Sequence, residues 1–129
     1  MIGRYLLDTN VAIAILEKEI DLERHRGSEI ESFLNATVAG ELLFGAEKSR
    51  RIDDNIARIF AVTQRCPVLP CDLETARHYG VIKQRLSKRG RPIPENDIWI
   101  AASARQHGLI LATRDGHFED VEDLRFERW

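Results

Sequence analysis

The chain lacks the features that define several protein classes. It has only two cysteines, Cys66 and Cys71, which are too few for a disulfide scaffold, and no second Cys/His cluster completes a zinc site with them. No apolar run approaches the roughly 20 residues of a membrane span, and the first residues contain no signal-peptide core. We therefore expect a protein of a reducing, cytoplasmic compartment that does not contact a membrane.

Charge and composition argue against two further classes. The chain has 19 Lys and Arg against 21 Asp and Glu, a net charge of −2, which is not that of a polycation that binds DNA or membranes through bulk charge. Hydrophobic residues make up 43% and charged residues 31%, as in folded rather than disordered chains. No repeat or linker divides the 129 residues, so we expect a single domain over 1–129.

Short apolar segments alternate with amphipathic helical segments along the chain. The predicted strands are 5–7, 32–36, 67–70, 109–112 and 124–126. The predicted helices are 11–18, 37–48, 52–64, 73–88 and 96–106, with Gly108 as the C-terminal cap of the last. The charged segment 21–31 fits either a helix or a surface loop. This alternation predicts an α/β domain with a mainly parallel sheet, whose functional residues gather beyond the carboxyl ends of the strands.

Two aspartates follow predicted strands closely. Asp8 comes directly after the strand at 5–7, and Asp115 lies two residues beyond Thr113 at the end of another strand. Both therefore belong to the carboxyl edge of the predicted sheet. Each carboxylate could instead have the structural role of capping a helix or a turn.

Two further acids lie on helix faces that should point inward. Asp97 begins an apolar stripe that includes Ile100 and Ala104; the helix dipole favours an acid at this end but does not explain its inward direction. Glu41 lies in a helix made largely of Ala, Val and Leu, where a carboxylate is costly unless it is paired. A basic side chain such as Arg114 is one candidate partner for it.

These acids share a need for compensating positive charge. If they converge at one sheet edge, mutual repulsion protonates some of them unless a cation is present. All-oxygen ligands select Mg²⁺ or Mn²⁺ over zinc, and two such ions about 4 Å apart are a common device for phosphodiester cleavage. The predicted catalytic and metal-binding residues are Asp8, Glu41, Asp97 and Asp115.

Each candidate acid lies in a distinctive block of sequence. The blocks are LDTN at 7–10, TVAGELLFG at 37–45, NDIWIAA at 96–102 and ATRD at 112–115 followed by Phe118. In this order and spacing they resemble the PIN-domain family, and within it the VapC-type toxins of bacterial toxin–antitoxin pairs. GAEKS at 45–49 and GRPI at 90–93 resemble the same group. One departure is Asn35-Ala36, where relatives usually have a more β-branched strand, and it leaves that strand's boundary open.

The resemblance implies a fold, an activity and partners. The fold would be a three-layer α/β/α PIN domain. The activity would be a Mg²⁺- or Mn²⁺-dependent endoribonuclease in which metal-activated water leaves a 5′-phosphate and a 3′-hydroxyl. The substrates would be structured RNAs, commonly tRNA anticodon stem-loops and in some members a ribosomal RNA loop. A VapB-like antitoxin would wrap the toxin and often block its active site with a basic side chain, and homodimers or toxin–antitoxin hetero-oligomers would be usual.

The same resemblance gives the candidate residues individual roles. Asp8 and Asp97 would be the most direct metal ligands. Glu41 and Asp115 would hold the metal partly through water. Thr9 and Thr113 match positions at which related proteins carry a small hydroxyl residue. By the resemblance, these hydroxyls would help to place metal-bound water or phosphate.

Other residues admit both a functional and a structural interpretation. A basic segment could bind RNA phosphates beside the acids or could be a solvated helix face and loop. Its residues are Lys83, Arg85, Lys88, Arg89 and Arg91. Trp99 could stack on a base, fill a dimer interface or pack in the core. His117 is the histidine nearest the proposed site, and we expect a surface or turn role for it.

Two other functions are compatible with the sequence. A Mg²⁺-dependent phosphotransferase would use an aspartyl nucleophile at a strand end, although such enzymes commonly carry a second Asp two residues later, where this chain has Asn10. A PIN-like module would bind RNA or protein without cleavage, although all four acids are present. The sequence favours the toxin-type endoribonuclease.

Overall fold

Five parallel strands form one sheet in the described part of the chain. The computed structural model describes residues 3–26 and 29–129. Its strands are β1 (Gly3–Leu7), β2 (Ile30–Asn35), β3 (Val68–Leu69), β4 (Ile110–Thr113) and β5 (Phe126–Arg128). They lie in the order β3-β2-β1-β4-β5, and each neighbouring pair is parallel. The predicted α/β class with a mainly parallel sheet is confirmed.

Helices connect the strands and cover both faces of the sheet. They are α1 (Thr9–Leu16), α2 (Leu22–Arg26), α3 (Ala36–Glu47), α4 (Ile52–Arg65), α5 (Leu73–Lys88) and α6 (Glu95–His107), and a 3₁₀ turn spans Gly116–Asp120. Helix α3 packs on α1 and α4, whereas α5 packs chiefly on α6. Right-handed connections that run outward from β1 to β3 and then back to β4 place these two groups on opposite faces. The result is a three-layer α/β/α arrangement. Within the described ranges, no helix is long and apolar enough to span a membrane.

Several predicted elements have different ends in the structure. The strand predicted at 32–36 runs from Ile30 to Asn35, and Ala36 already belongs to α3. The strand predicted at 124–126 lies at Phe126–Arg128 instead. The segment 21–31, for which the sequence fits either a helix or a surface loop, contains α2 and the start of β2. Residues 27 and 28 lie outside the described residues. Gly108 ends α6 with a φ of 64°, which confirms the predicted C-terminal cap.

The core lies along the two central strands and α6. Leu6 and Leu7 of β1 and Leu111 of β4 are fully buried, because helices cover both faces of a parallel sheet. In α6, Ile100 and Ala104 are also buried, so the predicted inward stripe is confirmed. Burial of this stripe holds the first turn of α6 against the sheet.

Candidate active site

The candidate acids lie at the point where the strand order changes direction. The chain moves from β1 outward to β3 and then resumes on the other side of β1 at β4. Ligands of open α/β sheets bind outside the carboxyl ends of the strands at such a switch point. Asp8 follows β1, and Asp115 follows β4. Helix α6 leads into β4 from the opposite direction, so its first turn, with Asp97, comes to the same edge.

Asp8 is 4% exposed at the junction of β1 and α1. Its Oδ1 accepts a hydrogen bond from the backbone N–H of Thr9 at 2.8 Å, and its Oδ2 accepts one from Thr113 Oγ1 at 2.7 Å. The first bond caps α1, which explains why the helix begins earlier than residue 11. The capping role considered from the sequence and the position at the sheet edge therefore both apply to this carboxylate.

The two predicted threonines connect the acids. Thr113 is fully buried, and its Oγ1 donates to Asp8 while accepting from the backbone N–H of Asp115 at 2.9 Å. Thr9 Oγ1 donates to Glu41 Oε1 at 2.8 Å. These bonds fix Asp115 relative to Asp8, and Glu41 relative to the start of α1.

A histidine lies between the other two aspartates. Nδ1 of His117 is 2.9 Å from Asp97 Oδ2 and 3.0 Å from Asp115 Oδ2. One ligand atom from each of these three residues lies within 4.8 Å of the other two. Asp115 Oδ1 also accepts the backbone N–H of His117 at 3.0 Å, which begins the 3₁₀ turn. His117 is half-exposed in a turn, as expected, but it also contacts two of the candidate acids.

The pKa shifts show that the acids act on one another. Burial raises the pKa of Asp8 to about 6; the charges of Asp97 and Asp115 also raise it, and hydrogen bonds from Thr113 and Thr9 oppose the rise. Burial likewise raises the pKa of Asp97, which the charges of Asp115 and Glu41 raise further.

The imidazole between the aspartates responds in the opposite sense. The hydrogen bond to Asp97 raises the pKa of His117 above its ordinary 6.5, and the charge of Asp115 contributes in the same direction. Burial is the main reason that the carboxylate pKa values are raised, and the neighbouring carboxylates act in the same direction on the aspartates and on His117.

The donor set fits a hard divalent cation. Carboxylate oxygens are the ligands that Mg²⁺ and Mn²⁺ prefer, and the partly buried acids carry negative charge that such an ion would neutralise. Asp97 and Asp115 could supply oxygen ligands and His117 a nitrogen ligand to one ion, and Asp8 and Glu41, which are not in this group of three, could supply further oxygen ligands beside it.

The nearby arginine does not neutralise Glu41. Arg114 Nη1 lies 3.3 Å from Glu19 Oε2, and its Nε donates to the backbone carbonyl of Trp129 at 3.1 Å. Glu41 instead accepts the hydroxyl of Thr9. The suggested pairing of Glu41 with Arg114 is therefore wrong.

The basic segment considered for RNA binding forms exposed ion pairs with acids. These pairs are Lys83–Glu95 at 3.0 Å, Arg85–Glu122 at 3.5 Å, Arg89–Glu122 at 3.6 Å and Arg91–Asp120 at 3.8 Å. Lys88 is exposed in the last turn of α5. Exposed pairs of this kind are weak, but they reduce the positive potential that RNA would meet. RNA binding by this segment stays a prediction.

A cavity of about 670 Å³ opens beside the acids. Its lining includes Thr37, Gly40, Glu41 and Phe44 from α3 and Asn96 and Trp99 from α6. Trp99 is half-buried and stacks on Tyr79, with ring centroids 4.2 Å apart and an interplanar angle of 18°. Glu41 lines this space and also accepts the Thr9 hydroxyl, so it is the candidate acid that the cavity shares with the acidic edge.

Comparison with known proteins identifies the family. The family model of the PIN domain matches residues 5–124. The chain belongs to the PIN-domain family. It is 41% identical over 130 residues to Ribonuclease VapC2 of Haemophilus influenzae and 36% identical over 129 residues to the tRNA(fMet)-specific endonuclease VapC of Shigella flexneri. Each alignment covers 98% of this chain and 98% of the relative.

A solved structure agrees with this assignment. The structure of VapBC-1 from nontypeable Haemophilus influenzae matches this PIN domain with a TM-score of 0.89 at 30% identity, over 98% of each chain. The resemblance to VapC-type ribonucleases drawn from the four sequence blocks is confirmed.

Two residues of this PIN domain have contacts that sequence analysis missed. His117 lies two residues after Asp115 in a turn, a spacing that allows an imidazole to fold back on a carboxylate. Asn35 was seen only as a departure from the family pattern. Its Oδ1 accepts the Val38 N–H at 2.8 Å, and its Nδ2 donates to Ser103 Oγ at 3.0 Å. An Asn between a strand and a helix is an N-cap signal, whereas the distant partner on α6 leaves no local signal.

Proposed function

We propose that this PIN domain is a metal-dependent endoribonuclease and the toxin of a toxin–antitoxin pair, with residues 1–129 acting as one domain. The observation that carries the proposal is the burial of Asp8 beside the charges of Asp97 and Asp115, which raises its pKa to about 6. A protein whose central buried carboxylate is disfavoured in its charged form gains by binding a cation there. The VapC ribonucleases among its relatives indicate the reaction.

The candidate acids would share the ion unequally. Asp8 and Asp97 would be its most direct ligands, and Glu41 and Asp115 would hold it partly through water. When bound, Mg²⁺ or Mn²⁺ would act as a Lewis acid that stabilises charge on the phosphodiester and lowers the pKa of water.

The surrounding side chains would orient these ligands. Thr113 holds Asp8 through Oδ2, and the Thr9 hydroxyl holds Glu41 through Oε1. A carboxylate oxygen can accept more than one bond, so these contacts fix each group while leaving it able to bind a cation. Without the cation, Nδ1 of His117 lies within hydrogen-bonding distance of both Asp97 and Asp115.

Substrate and partners are inferred from relatives. We propose a structured RNA as substrate, and specifically tRNA, because a relative at 36% identity is named a tRNA(fMet)-specific endonuclease. The match to VapBC-1 supports a VapB-like antitoxin as the partner. Cytoplasmic location and a homodimer, or a hetero-oligomer with antitoxin, belong to the same proposal; light scattering of the purified toxin and of its complex would test the assembly.

Cleavage assays with purified protein test the function. We expect cleavage of bulk tRNA in Mg²⁺ or Mn²⁺, with 5′-phosphate ends, and none in EDTA. Asp97→Asn should lower the rate at least about 100-fold, because loss of a direct ligand should cost more than loss of a group that only orients one, which costs up to about 100-fold. Asp53→Asn, which changes an exposed acid in the first turn of α4, is the matched control and should cleave normally.

Each alternative has its own outcome in this assay. Cleavage by Asp97→Asn at the normal rate would refute the assigned site. Tight tRNA binding without cleavage in either metal would favour a non-catalytic module. An acid-stable but alkali-labile phosphate on Asp8 would favour the phosphotransferase.

A further inference from the structure

The cavity beside the acids has the chemistry of a nucleobase site. We propose that it binds the unstacked base next to the scissile phosphate, with Phe44 and Trp99 as stacking surfaces. This inference rests on the proposed ribonuclease function and deepens it, because it names the part of the substrate that the cavity takes. Proteins recognise single-stranded RNA largely by stacking bases on aromatic side chains.

The position of the cavity places a base there when a phosphate is at the acids. Glu41 lines the cavity and is also joined to the acidic edge through Thr9. Phe44 is three residues after Glu41 on α3, so the two side chains are neighbours on one helix face, about 5 Å apart along the axis. A nucleotide whose phosphate reaches Glu41 therefore has its base within reach of Phe44.

The aromatic side chains present surfaces to this space. Phe44 is 64% exposed although it is a large apolar residue. Trp99 is half-buried, and its other side is occupied by Tyr79 in a stacked pair. Tyr79 is itself hydrogen-bonded to Glu95 and to Lys83. Trp99 is thus held in place before any ligand arrives, which lowers the entropy cost of binding.

The backbone of α3 leaves room for a flat ligand. Gly40 lines the cavity, and a Cβ built at this position would meet no atom within 4 Å. Glycine is unfavourable in a helix interior, and here the missing side chain keeps the space between α3 and α6 open. Polar groups at the border, on Thr37 and Asn96, could bind the edge of a base.

A cation beside Phe44 favours RNA over an apolar peptide, although the acid Asp72 also lines the cavity. Lys48 lies one turn after Phe44, with its Nζ 4.5 Å from the centre of the Phe44 ring. A cation at this place can contact the phosphate on the far side of a stacked base. An apolar peptide segment would offer this cation no anionic partner. Along α3, Phe44 therefore lies between Glu41, a candidate metal ligand, and the cation of Lys48.

Cleavage of paired RNA substrates tests the proposal. One oligoribonucleotide contains a site that the protein cuts; the other is abasic at the nucleotide next to the scissile phosphate. Phe44→Ala should lower kcat/KM on the intact RNA about tenfold, as expected for the loss of one base–aromatic stack, with no loss on the abasic RNA. Phe44→Tyr should restore cleavage. Phe60→Ala, which removes another exposed phenylalanine on α4, is the control and should have no effect.

A binding measurement separates this proposal from the ribonuclease function. In Trp129→Phe protein, Trp99 is the remaining tryptophan, and in EDTA its fluorescence should be quenched by the intact oligonucleotide more strongly than by the abasic one. Quenching without any cleavage would refute the ribonuclease and retain the base site. Equal loss of cleavage on both RNAs in Phe44→Ala, or equal quenching by both, would overturn the base site. It would also be overturned if Phe44→Ala weakened only antitoxin binding, because the cavity would then be a protein-binding site.

Discussion

At the residue scale, Asp8 is an aspartate whose surroundings disfavour its own charge. It is 4% exposed, and Asp97 and Asp115 add negative potential. Hydrogen bonds from Thr9 and Thr113 compensate only in part, because the pKa remains raised to about 6. Carboxylates with strongly raised pKa values are typical of metal sites and catalytic centres.

The raised pKa makes stability depend on pH in a defined direction. The folded-state pKa of about 6 lies above the ordinary 3.8, so the stabilising contribution of protonated Asp8 is complete below pH 3.8. It is lost as the pH rises through 6. In EDTA at pH 8, Asp8→Asn should therefore raise the free energy of unfolding by roughly 1–3 kcal/mol, and the gain should vanish at pH 4. Urea unfolding at both pH values measures this.

Binding of Mg²⁺ should offset the advantage in free energy of unfolding that Asp8→Asn has over the wild-type protein in EDTA at pH 8. Mg²⁺ at a concentration that saturates the wild-type protein should stabilise it more than it stabilises Asp8→Asn, because the variant lacks a ligand and binds the ion more weakly. Asp53→Asn, on α4, should follow the wild type in every condition. If Asp8→Asn were less stable than wild type at pH 8 in EDTA, the raised pKa would be refuted.

The residues of the site differ in how far the sequence could reveal them. Asp8 and Asp115 could be placed at the sheet edge because each follows an apolar strand, and Asp97 because it begins a buried stripe. The contact between His117 and Asp97 depends on how the 3₁₀ turn packs against the start of α6. No local sequence pattern predicts how these two segments pack.

At the element scale, Asn35 joins three elements. It ends β2, caps α3 through the Val38 N–H, and donates to Ser103 Oγ and to the Trp99 carbonyl on α6. Helices α3 and α6 carry Glu41 and Asp97, so a fully buried amide holds together the helices that position these acids.

Removing this amide should affect both stability and the site. Asn35→Ala loses the cap and leaves buried groups without their bonds, so we expect a loss of roughly 1–3 kcal/mol in urea unfolding. Asn35→Asp keeps the capping oxygen but puts a carboxylate opposite the Trp99 carbonyl in a fully buried position, so it should also be less stable than the wild-type protein at pH 8. The Mg²⁺ concentration for half-maximal cleavage should rise in both variants.

A matched asparagine provides the control for this prediction. Asn55 on α4 is half-buried and donates to Ser49 Oγ at 2.8 Å, just beyond the C-terminal end of α3 and away from Glu41. Asn55→Ala should leave the Mg²⁺ requirement unchanged. An unchanged Mg²⁺ requirement in Asn35→Ala would show that the amide serves stability alone.

Helices were easier to predict than the ends of short strands. The helix predicted at 73–88 has the same bounds in the structure, where Asp72 and Thr75 form a capping box at its start and Gly90, at φ 65°, follows its end. The register of β5 depends instead on pairing with β4, where Phe126 lies opposite Leu111. A three-residue strand has too few residues for a local pattern to define its ends.

At the scale of the whole molecule, the strand order creates the site. The order β3-β2-β1-β4-β5 makes β1 and β4 neighbours and so brings residues from opposite ends of the chain together. Alternation of strands and helices predicts a parallel sheet but not this order, because the order depends on contacts between segments that are distant in sequence. The ion pairs of Arg85 and Arg89 with Glu122 are likewise contacts between distant segments, which a local count of basic residues cannot reveal.

The central claim is that acids from four separate segments form one site for a divalent cation. Calorimetric titration of the purified protein with Mn²⁺, with competition by Mg²⁺, tests it most directly. We predict saturable binding by wild-type protein and by Asp53→Asn, and an affinity at least about tenfold lower for Asp8→Asn and for Asp97→Asn. Equal Mn²⁺ affinity in all four proteins would contradict the claim.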